Sequence, residues 1–273
     1  MHKIRTFLQY FKDFIRWGEY RYIFTSIKYI LLHKTTSRTQ IYRSSLGLFL
    51  SRKGTLDFQF ANYAYEWGVK QFVYRHLPEC QGFLDIGSNI GTYAILLAQK
   101  GLHGYAFEPI RENYDALRIN LILNNLEDKV TVFPLALGEK KHKAAFAFDR
   151  VNTGASHLAA IHPDDEVLER EKNTLSEIVP LDSLMDRIHF ENDETIFIKI
   201  DVEGMEERVL QGARKFLQTY PNIIMVMESK HSGREKLTRI LNDIDDFEIL
   251  EVDDLNMGAR KRNIQKNRNH ADH

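Results

Sequence analysis

The sequence predicts an α/β protein: a doubly wound, mostly parallel sheet with an N-terminal helical and strand extension. Two observations carry this. From about residue 81 to 252, short apolar runs alternate with amphipathic stretches, the rhythm of repeated βα units. The runs are nearly continuous in apolar residues, as strands covered by helices on both faces require. A third observation is the glycine-flanked turn Asp85-Ile-Gly-Ser-Asn-Ile-Gly-Thr, placed where a first strand would hand over to its helix.

The elements follow in order. Gly82-Phe-Leu-Asp-Ile-Gly reads as the first strand, and Ile90 to Lys100 as its helix, stopped by Gly101. His103-Gly-Tyr-Ala-Phe is a second strand, broken by Pro109. Arg111 to Asn124 is a second helix with Tyr114, Leu117 and Leu121 on one stripe. Val130-Thr-Val-Phe is a third strand. The stretch from Gly138 to Leu181 breaks the rhythm. Ala144-Ala-Phe-Ala-Phe reads there as a strand and Asn152-Thr-Gly-Ala-Ser as a turn, and the length suits a lid or substrate loop. Thr195-Ile-Phe-Ile-Lys-Ile is a fourth strand feeding one helix from Glu203 to Thr219. Asn222-Ile-Ile-Met-Val-Met is a fifth, followed by a helix near Glu235 to Asn242, and Phe247-Glu-Ile-Leu-Glu-Val is a sixth. No clear final apolar strand follows. The chain thus divides into a basic, aromatic extension (1–50), a catalytic domain (51–257) and a basic flexible tail (258–273).

Composition narrows the function. The 273 residues are 43% hydrophobic and 27% charged with a formal net charge of −1, which fits a globular protein and gives no field for nucleic acid. The single cysteine, Cys80, cannot form an internal disulfide and reads as an inert buried thiol in a reducing cytoplasm. No apolar run approaches the roughly 20 residues that span a bilayer, and the N-terminus lacks a signal-peptide pattern. Residues 1–40 interleave Lys3, Arg5, Lys12, Arg16, Arg21 and Lys28 with Phe7, Phe11, Phe14, Trp17, Tyr22 and Phe24. Weak peripheral contact with the inner membrane face is one reading. Packing on the catalytic domain is the favoured one.

The chemistry concentrates at strand ends, where ligands bind in such sheets. Gly87 and Gly91 flank the turn, and Asp85 stands at its mouth. Glu108 ends the next strand, placed to accept both hydroxyl hydrogen bonds of a ribose. The spacing is Gly-x-x-x-Gly with Asn89 between, not the bare Gly-x-Gly-x-x-Gly of dinucleotide sites. An acid at the mouth suits an ammonium or sulfonium better than a pyrophosphate. On charge, S-adenosylmethionine is favoured over NAD.

Asp85-Ile-Gly-Ser-Asn-Ile-Gly-Thr-Tyr, Phe107-Glu-Pro and Ile198-Lys-Ile-Asp-Val-Glu-Gly-Met-Glu-Glu-Arg-Val-Leu-Gln-Gly-Ala, together with Arg52-Lys-Gly-Thr-Leu-Asp57, resemble the FkbM-type methyltransferases over roughly residues 50–230. The resemblance implies a class I methyltransferase fold, Rossmann-like, that methylates hydroxyl oxygens of sugars or related natural products. It implies that Asp85, Gly87, Asn89 and Gly91 hold the methionine part and Glu108 the ribose. Ser88, Pro109 and Ala136 are counted with them as cofactor-binding. Arg52 and Asp57 would shape the acceptor pocket.

A hydroxyl acceptor needs help losing its proton. Asp201, after the fourth strand, is the leading base; Glu203 and His231 complete the catalytic set. Glu203 with Glu206 also reads as a helix-capping pair. Glu228 and Ser156 are placed on the acceptor, with His157 beside them. A divalent metal on Asp201, Glu228 and His231 is compatible but not favoured. The alternatives are an NAD-dependent sugar oxidoreductase or epimerase, and a non-catalytic binding module on the same fold.

Overall fold

The protein is described by a computed structural model for residues 2–147, 151, 153, 157–158 and 174–262. Among these, seven strands form one sheet in the order β12-β13-β11-β10-β3-β4-β5. They are β3 (Gly82–Ile86), β4 (His103–Phe107), β5 (Val130–Phe133), β10 (Ile196–Ile200), β11 (Ile223–Glu228), β12 (Phe247–Glu251) and β13 (Asn256–Lys261). β5, β4, β3, β10 and β11 run parallel, while β13 is antiparallel to β11 and to β12. All five residues of β3 and of β10 are buried, which is why those strands read as apolar runs broken only by Asp85 and Lys199. The order reverses between β3 and β10. That switch point fixes where a ligand can enter.

β13 is the correction to the sequence reading, because the stretch taken as a loose tail begins inside the sheet. Met257 and Ala259 are both fully buried, while Lys261 Nζ reaches the carbonyls of Leu217, Gln218 and Tyr220. The strand is written in alternation and interrupted by Gly258, so it lacks the apolar run that marked the others.

The helix expected from Glu203 to Thr219 is two: α7 (Glu206–Gly212) and α8 (Arg214–Thr219). The carboxylate of Asp182 accepts the N–H groups of Lys215 and Phe216 at 2.9 and 2.8 Å, giving α8 its own cap. Gly212 sits so close to the chain that a Cβ there would meet the Gly138 carbonyl oxygen at 2.0 Å. Asp182→Ala should lower stability by about 1 kcal/mol. For a chain of this size that is a melting shift of roughly 2–4 °C, with Asp182→Asn restoring most of it. An unchanged melting temperature in thermal denaturation would refute the cap.

Residues before β3 wrap one side of the sheet. α1 (His2–Arg16), α2 (Tyr20–Leu32), β1 (Gln40–Ser44), β2 (Gly47–Ser51), α3 (Asp57–Phe60) and α4 (Trp67–His76) share a core with α5 (Thr92–Gln99) and α6 (Arg111–Leu123). Phe14, Tyr22, Tyr42 and Phe58, all fully buried, form its aromatic centre, with Tyr22 stacked on Phe58 at 4.7 Å. β2 is tied to α6 through Asn120 and Asn124, which accept the N–H groups of Leu50 and Leu48. The inner sides of α1 and α2 therefore pack on the catalytic domain. Helices α7, α8 and α9 (Arg234–Ile244) cover the other side with a second core.

The interruption after β5 builds a separate sheet, β6-β9-β7-β8, from β6 (Ala136–Leu137), β7 (His142–Ala147), β8 (His157–Leu158) and β9 (Thr174–Val179). The strand expected near residue 144 is β7.

Candidate active site

The tips of β3, β4, β10 and β11 open on one cavity of about 1050 Å³. Asp85 and Glu108 both line it and are 1% and 4% exposed. Asp85 Oδ2 accepts the Ala94 N–H at 3.0 Å, while its Oδ1 is buried without a partner. The turn between them is tightly specified. Ser88 Oγ donates to the Asp85 carbonyl at 2.7 Å and accepts from Phe107 N–H. Gly87 has φ +82°, and a Cβ there would lie 1.8 Å from the Asp201 carbonyl oxygen, so the β3 and β10 tips can meet only over glycine. Gly91, also left-handed, begins α5 against Leu117.

Glu108 organises the same turn. Its two oxygens accept the N–H groups of Asn89 at 2.8 Å and Ile110 at 2.9 Å, leaving lone pairs for a diol. Burial pushes its pKa up to about 7, against the pull of those two N–H groups. Burial likewise lifts Asp85 to about 6, with Lys199 opposing. Asn89, itself left-handed, carries a buried, unpartnered Oδ1. Ser88, Pro109 and Ala136 also line the cavity.

Sequence reasoning missed a buried polar cluster beside this turn. Lys199, opposite Asp85 in the β10–β3 register, is 5% exposed. Its Nζ donates to Asp201 Oδ2 at 2.7 Å and lies 4.6 Å from the centre of the Tyr93 ring. Burial works against the ammonium, but Asp201, Glu66 and Asp85 outweigh it and hold its pKa above the usual value. Glu66, left-handed at φ +48°, is lifted by burial, and its Oε2 has no partner. Lys70, beneath it, is pushed down to about 7 by burial. A lysine inside an apolar strand was the available signal, because buried lysines require partners.

Four acceptors in one cavity, on Asp85, Asn89, Glu66 and Glu228, thus lack donors. Such a donor-seeking wall fits an ammonium and a neighbouring positive sulfur. Glu108 fits a ribose.

Asp201 and Glu203 follow β10 and Glu228 ends β11, all three on the cavity wall. Glu228 Oε2 is buried without a partner. Burial, then the carboxylates of Asp201 and Glu203, push Glu228 up to about 7. His231 stands outside the wall, 44% exposed, with Nε2 3.8 Å from both Glu203 and Glu228. Glu203, Glu228 and His231 bring one ligand atom each within 4.8 Å of one another. Asp201, expected in that set, is engaged by Lys199 instead. Glu206 is structural: its carboxylate accepts Gly204 N–H and the Ser232 hydroxyl.

Arg52 and Asp57 lie one layer behind the wall. Arg52 Nε and Nη2 grip Asp57 at 2.7 and 2.9 Å. The pair braces Asn113 and Thr153, which do line the cavity. Ser156 lies outside the described residues, and His157 falls on β8.

Residues 85–258 match the family model described as the methyltransferase FkbM domain. The chain is 27% identical over 171 residues to the "Hexuronic acid methyltransferase AglP" of Haloferax volcanii, covering 58% of this chain and 60% of that one. Among solved structures, an S-adenosylmethionine-dependent methyltransferase from Agrobacterium tumefaciens aligns with a TM-score of 0.46 at 8% identity, over 84% of this chain and 72% of that one. An O-methyltransferase from Bacillus cereus in complex with SAH aligns with a TM-score of 0.40 at 14% identity, over 72% and 80%. With well over half of its sequence matched, from the strand of Asp85 through Gly258 in β13, the chain belongs to the FkbM methyltransferase family and with it to the S-adenosylmethionine-dependent methyltransferases.

Proposed function

We propose that the protein methylates a hydroxyl oxygen of a sugar or a related acceptor. The observation that carries this reading is the pair of carboxylates at neighbouring strand tips, Asp201 and Glu228, opening on the cavity that Asp85 and Glu108 share. Only one of the pair is held by an ammonium. The named activity of the Haloferax relative, hexuronic acid methylation, supports a sugar-type acceptor. The chain spans about 60% of that relative's length.

In this reading Asp85 and Asn89 accept from the donor's ammonium. Glu108 accepts from its ribose hydroxyls, and Pro109 and Ala136 wall its base. Bound there, S-adenosylmethionine supplies a methyl group already activated on sulfur. The protein's task is to hold the acceptor oxygen in line with it. Asp201, pinned by Lys199, orients the hydroxyl. Glu228 takes the proton, since a group with a pKa near neutrality serves best as a base. His231, at the exposed rim, passes the proton to water. The concentration of carboxylates repels an anionic acceptor group and favours a neutral hydroxyl.

A labelled-methyl assay on neutral and uronic sugars tests this. The expected product is an alkali-stable methyl ether. Asp201→Ala should abolish turnover while donor affinity stays nearly intact. An alkali-labile ester, a methylated amine, or near-normal turnover of Asp201→Ala would overturn the reading.

A further inference from the structure

α2 turns an apolar face outward. Tyr22 and Ser26 are buried on its inner side. Tyr20, Phe24, Ile27 and Leu31 recur at i, i+4, i+7 and i+11, which aligns them in one stripe. They are 55%, 72%, 40% and 71% exposed, and Ile30 and Leu32 beside them are 57% and 58% exposed. α1 adds Leu8 and Ile15, each 54% exposed, in line with exposed Lys12. Trp17 in the connection is 37% exposed. Nine of the seventeen exposed large apolar side chains among the described residues therefore fall within residues 8–32. An outward apolar surface of this kind marks an interaction site.

Charge indicates what covers it. Between residues 8 and 34 the exposed Lys and Arg side chains are Lys12, Arg16, Arg21, Lys28 and Lys34. No acid is exposed there: Asp13 is buried, and Glu19 is half-buried and paired with Arg21 at 2.8 Å. By helix geometry Arg21 and Lys28 border the stripe on one side. A second copy of this chain would set cation against cation. Among the described residues no helix is long and apolar enough to cross a membrane, so the fitting geometry is a helix lying in the interface plane. Phosphate headgroups complement the cations, and the acyl boundary takes the apolar stripe. α1 also reaches the active cavity, where Gln9, next to Leu8, is part of the wall.

We propose that the outward faces of α1 and α2 form a docking surface for anionic lipid bilayers. The full chain is sedimented with vesicles of phosphatidylcholine alone and of phosphatidylcholine mixed with phosphatidylglycerol. The expected result is pelleting with the anionic vesicles, weakened by salt. The double substitution Phe24→Glu and Leu31→Glu should reduce binding at least about tenfold while melting temperature and S-adenosylhomocysteine affinity stay unchanged. Lys12→Glu with Lys28→Glu should remove the preference for anionic lipid. No pelleting of the unaltered chain, or equal pelleting of the Phe24/Leu31 variant, overturns the proposal. So does lipid-free self-association that this variant abolishes without any vesicle binding, because a second copy would then cover the face.

Discussion

Glu228→Gln is expected to lower turnover at saturating donor by roughly 10²–10⁴-fold, the range of a lost general base. The substitution keeps the size and one carbonyl oxygen of the side chain, so the cavity should survive. The pH profile carries the stronger test. Burial and the carboxylates of Asp201, Glu203 and Glu206 raise Glu228 to about 7, with His231 opposing. A base must be ionised to act, so turnover should climb as pH rises through about 7 and level off above it. Glu228→Gln should flatten that climb, whereas Asp201→Asn should lower the plateau and move the climb to lower pH, because it removes a carboxylate that raises Glu228. A climb that persists in Glu228→Gln would place the base elsewhere.

Asp85→Asn should separate binding from stability. The folded-state pKa of Asp85 is raised from 3.8 to about 6. The folded state thus binds more protons than the unfolded one between those values. Stability from this group falls as pH rises from about 4 to about 6, and the deficit persists above. Each pKa unit corresponds to about 1.4 kcal/mol, so the deficit is on the order of 1–3 kcal/mol. A neutral asparagine escapes it. The ligand-free variant should therefore melt a few degrees higher at pH 8 than the parent protein. Its affinity for the charged donor should fall roughly 10–100-fold, the worth of a charge-assisted hydrogen bond. Such opposition between stability and function is expected where a site holds an unsatisfied charge. Calorimetric titration and thermal melting check the two halves. Unchanged donor affinity would remove Asp85 from the cofactor site.

The parts of this fold legible in sequence are those written locally. The β3 turn declares itself because Gly87 and Gly91 stand where any side chain would collide, and Glu108 follows at the next strand end. Features set by distant contacts were not legible. The break between α7 and α8 depends on Asp182, more than 30 positions upstream. β13 hides because its two buried side chains alternate with Gly258 and charged neighbours. Glu66 belongs to a helix start outside the matched family segment, and only the tertiary fold brings it towards Lys199. Arg52 and Asp57 resembled acceptor residues in sequence. Their mutual ion pair, with the Asp57 side chain fully buried, turns them into a brace for the wall.

Cys80 is 7% exposed, and burial pushes its thiol up to about 12. The sequence contains no other cysteine. Under native conditions this thiol should therefore be unreactive towards maleimides. A cysteine introduced at Trp67, on the cavity rim and 38% exposed, would be the sole reactive thiol. A fluorophore or spin label attached there would report ligand entry at the cavity rim with no background from the parent chain.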